Sequence, residues 1–180
     1  GGIMGAGIAG LGFEQLVFGG LTKVFAGIII APIGGMIFGI ALAGAIIVFL
    51  AKRKPAIVNR TFGRLQIISS AWFALTHGAN DGQKTMGIIV LILFSADLIS
   101  EIHMPLWVIF AAASAMGLGT FFGGYKVIKT LGVRVTRLRP YQGFAAETGG
   151  GVMLAIFALL GIPASTTHAI TGTIMGAGAA

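Results

Sequence analysis

The run "ALTHGANDGQKTMGIIVLIL", Ala74 to Leu93, is apolar apart from His77, Asn80, Asp81, Gln83 and Lys84, which crowd its middle. Holding such groups away from water costs several kcal/mol unless each finds a partner, so their clustering points to a site. Amide and carboxylate oxygens at Asn80 and Asp81 are ligands for a hard cation such as sodium. Gly78 and Gly82 flank them, allowing the backbone to leave helical geometry and a ligand to approach it closely at Gly82. A helix broken here would free carbonyls at one end and N–H groups at the other, holding a cation and an anion side by side. His77, Gln83 and Lys84 stand as supporting partners. The plainer alternative is an interfacial turn in which Asp81 caps a helix over Gly82 to Leu98.

A second cluster has the same logic with different atoms. In "GIPASTTHAITG", Gly161 to Gly172, Pro163 opens a helical arm whose first turn carries Ser165, Thr166 and Thr167, followed by His168. Their hydroxyls and the unpaired N–H groups of the first turn make an anion cradle at the positive end of the helix dipole. The alternative is ordinary capping, with hydroxyls bonded back to the helix. Glu147, in "FAAETGGG", is a lone carboxylate beside a long apolar stretch. An intramembrane carboxylate is by default a coupling-ion or proton site, although an interfacial position is open.

The positioning elements are membrane helices. The chain is 56% hydrophobic and 9% charged, against about 25% charged in soluble domains, and its mean hydropathy is +0.97. The 30 glycines have no three-residue period and sit among Ala, Ile and Met, as in close helix packing within lipid. There is no cysteine, which excludes disulfides and thiolate metal sites. The net charge of +7 does not indicate nucleic acid, because it is concentrated at Lys52, Arg53, Lys54, Arg60 and Arg64, then Lys126, Lys129, Arg134, Arg137 and Arg139. Two basic stretches between apolar spans, 52–64 and 126–139, read as cytoplasmic loops under the positive-inside rule.

Leu16 to Leu50 reads as one long helix bent at Pro32. Leu65 to Asp81 and Gly82 to Leu98 read as a discontinuous helix meeting at the polar cluster. Leu106 to Ile128 is an ordinary span with Trp107 and Tyr125 near opposite ends. Gly143 to Gly178, broken at Gly161-Ile162-Pro163, has arms of about 15 to 18 residues, or roughly 22 to 27 Å, which suits a re-entrant hairpin. "GGIMGAGIA" at Gly1 to Ala9 returns as "GTIMGAGAA" at Gly172 to Ala180. Residues 1–10 are therefore read as the tail of a preceding repeat and 11–180 as a second transmembrane repeat. Three crossings between the two copies would invert the second relative to the first. The expected class is an all-α integral membrane protein with discontinuous or re-entrant half-helices, part of an inverted-repeat transporter.

"HGANDGQKTMG" at His77 to Gly87 and "GIPASTTHAITG" at Gly161 to Gly172, with "FAAE" upstream, resemble the paired signatures of the PiT inorganic phosphate transporters, and the likeness spans nearly the whole chain. The resemblance implies phosphate uptake driven by sodium or protons, no enzymatic activity, no cofactor beyond the coupling ions, and a location in a cell membrane, most simply a prokaryotic one. The missing first-half repeat and membrane lipids are the implied partners, and self-association is left open. By the same likeness Asn80, Asp81, Glu147, Ser165, Thr166 and Thr167 fall on substrate or coupling-ion positions. Many members continue GANDVANA where this chain reads "GANDGQKTMG", a form similar to a prokaryotic branch in which proton coupling and metal-phosphate transport occur; sulfate transport also occurs among relatives. A passive anion channel is the alternative of another class. An integral-membrane phosphotransferase would need a P-loop or a clustered acidic metal site, and neither is present in the sequence.

Overall fold

Glycine and alanine recur every fourth residue at Gly27, Ala31, Gly35, Gly39 and Ala43, which puts them on one face of a helix, and that face is buried. A computed structural model describes residues 2–13, 18–129, 138–162 and 165–180. Its helices are α1 (Gly2–Leu11), α2 (Phe18–Leu50), α3 (Pro55–Ser95), α4 (Leu106–Lys129), α5 (Pro140–Leu159) and α6 (Thr166–Ala179), with no strand among the described residues. Phe18–Leu50, Leu106–Gly124 and Pro140–Leu159 are each long and apolar enough to cross a membrane. Phe49, Phe121, Phe122 and Leu159 are exposed on the helix exteriors, as suits a lipid-facing surface. The chain is thus an all-α membrane protein.

Small residues set the packing. The face of α2 lies parallel to α6, with Gly172 against the Pro32 carbonyl and Gly176 against that of Met36, so close that a Cβ at either glycine would collide with backbone oxygen. A Cβ on Gly35 would stand 2.5 Å from the Ala169 carbonyl oxygen. This is the small-residue contact that lets membrane helices approach backbone to backbone. Helix α5 turns back from α6 and packs against both α2 and α3. It runs parallel to α3, from the edge-to-face pair Phe62–Phe144, with centroids 5.2 Å apart, to Asn80 beside the Leu154 carbonyl. The first residues of α3 and α5, which adjoin the two basic stretches, therefore lie at the same end of the bundle.

The structure departs from the sequence expectation in several places. No break occurs at Gly78–Gly82: α3 is continuous from Pro55 to Ser95, and the positive-φ glycines among the described residues are Gly12 and Gly161. Two glycines weaken a helix by about 1 kcal/mol each without forcing it open, and here the polar side chains bond within the helix. His77 and Lys84 both pair with Asp81 at helical spacings. Carbonyls freed by a broken helix are consequently not available beside Asn80 and Asp81. The stretch 52–64 is mostly helical as well, because Pro55 occupies the first turn of α3, where its missing N–H is harmless. Helix α2 is a single element with Pro32 inside it, as expected.

The expected interruption is present, with Gly161 turning at φ +61° between α5 and α6. Its first arm is 20 residues, longer than anticipated because the helix begins at Pro140, and its second is 14. Pro163, the first residues of the Leu16 to Leu50 span, and Arg134 and Arg137 of the second basic stretch lie outside the described residues, as does the side chain of Tyr125. Trp107 is exposed near the start of α4.

Candidate functional site

Four polar groups meet where the hairpin turn comes alongside the middle of α3. Thr166, at the first turn of α6 and 3% exposed, donates through its Oγ1 to Asp81 Oδ2 at 3.1 Å and lies 3.3 Å from Oδ1. His77 Nε2 stands 3.1 Å from Oδ2, and Lys84 Nζ donates to Oδ1 at 3.0 Å. His77, Asp81 and Lys84 share one face of α3 because they are spaced by four and three residues. His77 is further held edge-to-face against Phe73, with centroids 5.6 Å apart. The Asp81 carboxylate thus sits at the positive end of α6 with donors on both oxygens. The side chains of Asp81, His77 and Lys84 are 32%, 37% and 49% exposed, so the cluster is open to one side of the described helices.

The rest of the first turn of α6 is laid out around that contact. Ser165 is the N-cap, its Oγ accepting from the backbone N–H of His168 at 3.4 Å. The side chains of Thr167 and His168 are exposed, away from the buried face that carries Thr166. Asn80, one residue from Asp81, points toward α5: its Nδ2 donates to the Thr76 carbonyl at 2.9 Å and reaches that of Leu154 at 3.5 Å. Gly82 is buried, and Gln83 is exposed on the far side of α3. The structure therefore joins Asp81, Thr166, His77 and Lys84, places Asn80 and Ser165 beside them, and leaves Thr167, Gln83 and His168 facing outward.

Glu147 lies elsewhere. Ser69 donates to its Oε2 at 2.5 Å, and Gln66 also hydrogen-bonds to it. Ser69 precedes Asp81 by twelve residues on α3, or about 18 Å along the axis. Asn80, Asp81 and Glu147 consequently do not form one sodium site in this arrangement, and no group of three His, Cys, Asp or Glu side chains among the described residues could hold a metal ion.

Ser69 and Gln66 did not stand out as isolated polar residues. Their signal is periodicity: Gln66, Ser69, Thr76 and Asn80 recur at intervals that keep one face of α3 polar, and that face meets α5. Ser69→Ala, which strands one carboxylate oxygen without its donor, should lower stability by about 1 kcal/mol. Thermal unfolding of the purified protein in detergent checks this, and an unchanged midpoint would mean that the Ser69–Glu147 bond contributes nothing.

Residues 46–180 match the phosphate transporter family. The chain is 44% identical over its whole length to a probable low-affinity inorganic phosphate transporter of Rhizobium meliloti, covering 54% of that protein. It is 39% identical over 99% of its length to a protein of the same description from Bacillus subtilis, again covering 54% of it. Over 65% of its length it is 37% identical to a sodium-dependent phosphate transporter of Toxoplasma gondii, covering 14% of that protein. The chain spans about half the length of the bacterial relatives. No solved structure matches it.

Proposed function

Because this chain belongs to the phosphate transporter family, we propose that the protein containing it carries inorganic phosphate across a membrane together with sodium or protons. The observation that carries this reading is the contact between Asp81 and Thr166, which sets a carboxylate from α3 against the first turn of α6. A helix start with three adjacent hydroxyls offers an oxyanion N–H and O–H donors. A carboxylate at the same point repels a bare anion and welcomes one that arrives with cations. Asp81, Asn80 and Thr166 are thus the residues at which substrate and coupling ion meet, with Ser165 beside them at the start of α6. Glu147 serves as a separate ion or proton site on the α3–α5 face.

Cation coupling also follows from the energetics of uptake. Phosphate enters against a negative interior, which opposes it by about 2.3 kcal/mol per charge for each 100 mV. In this reading 11–180 is the second repeat of an inverted pair, and the end of the bundle carrying Lys52, Arg53 and Lys54 faces the cytoplasm. Radiolabelled phosphate uptake by the full-length protein in proteoliposomes tests the proposal. Accumulation above equilibrium under an imposed sodium or proton gradient is expected. Uptake that only equilibrates, whatever the gradient, would identify a passive channel instead.

A further inference from the structure

We propose that Lys84 is a tethered counter-cation for Asp81, taking a place at the carboxylate that a free cation would otherwise fill and so lowering by one the cations bound per phosphate. The inference rests on the transport reading above and deepens it.

A carboxylate offers about four lone-pair directions. Here three groups face them: Lys84 Nζ at 3.0 Å from Oδ1, His77 Nε2 at 3.1 Å from Oδ2, and the single Thr166 hydroxyl, 3.1 Å from Oδ2 and 3.3 Å from Oδ1. A sodium ion entering this shell must displace the ammonium or sit beside it against like charge. Lys84 is three residues after Asp81 on a continuous helix, so backbone geometry fixes the pair. With its side chain 49% exposed against 32% for Asp81, Lys84 is the more open partner of the pair.

The residue type sharpens the point. An asparagine at position 84 is the natural contrast to Lys84. A neutral amide there offers a carbonyl oxygen to a hard cation. A lysine offers no oxygen and brings its own charge. The empty site, with Asp81 already neutralised, can then change its exposure across the membrane without a bound cation.

The test compares wild type with Lys84→Asn, Lys84→Met and Lys84→Arg in the full-length protein, by radiosodium binding in detergent and by phosphate uptake in sodium against choline at matched pH. Lys84→Asn should bind one more sodium per protein, and its sodium-to-choline uptake ratio should exceed that of wild type by about tenfold. Lys84→Met, which frees the position without adding a ligand, should move the same way at higher sodium, and Lys84→Arg, which keeps the tethered charge, should keep the wild-type sodium stoichiometry. Binding does not require a working transport cycle, so it reads out even for a variant with slow uptake. Equal sodium stoichiometry and an equal ratio in wild type, Lys84→Asn and Lys84→Met overturn the role of Lys84 alone. A wild-type protein that neither binds nor takes up phosphate overturns the transport reading and this inference with it.

Discussion

Asp81→Asn in the full-length protein should reduce phosphate uptake by at least about tenfold while leaving expression and folding near normal. The substitution keeps the size of the side chain and one carbonyl oxygen but removes the charge that Lys84, His77 and any coupling cation require. It also turns an amide N–H₂ toward groups that are themselves donors. The structural loss is small, because the ion pairs are partly exposed and such pairs contribute about 1 kcal/mol or less. Uptake should fall with the response to the driving ion, while size-exclusion profiles and the thermal midpoint in detergent stay close to wild type. Full uptake with unchanged ion dependence would reduce Asp81 to a brace between α3 and α6.

The largest effect on folding should come from adding one methyl group to Gly176. Its Cβ would land on the Met36 carbonyl, forcing α2 and α6 apart along their main contact. Backbone cannot swing aside as a flexible side chain can, so Gly176→Ala should destabilise the protein by about 3 kcal/mol. The same substitution at Gly44, where nothing lies within 4 Å of an added Cβ, should be neutral or stabilising by up to about 1 kcal/mol through helix propensity. Thermal unfolding of the two variants side by side gives the comparison. Equal midpoints would show that α2 and α6 do not touch as described.

How much of this was legible beforehand depended on whether local chemistry or tertiary register decided each feature. Membrane class, the long α2 and the turn at Gly161 follow from apolar length and one conformationally free glycine. Asp81 and Thr166 each stood out as polar groups in an apolar setting, and their approach is set by the packing of the α6 start beside α3. Continuity of α3 was not legible from Gly78 and Gly82, since glycine permits a break without requiring one. The outcome turned on side chains one helical turn apart, with His77 four residues before Asp81 and Lys84 three after it both reaching the carboxylate. The partner of Glu147 was hidden for another reason: neither sequence stretch states that α3 and α5 run parallel with Ser69 level with Glu147. The polar period of Gln66, Ser69, Thr76 and Asn80 marked the face, but not what it meets.

In the function proposed above, phosphate and its cation are handled where α6 begins beside Asp81. A density map of the full-length protein with phosphate and sodium present examines that place directly. The account predicts phosphate within hydrogen-bonding distance of the Ser165–Thr167 turn, with Thr166 and Asp81 at its border. Phosphate bound elsewhere, with the Asp81–Thr166 hydrogen bond and the α6 start unoccupied, would contradict it.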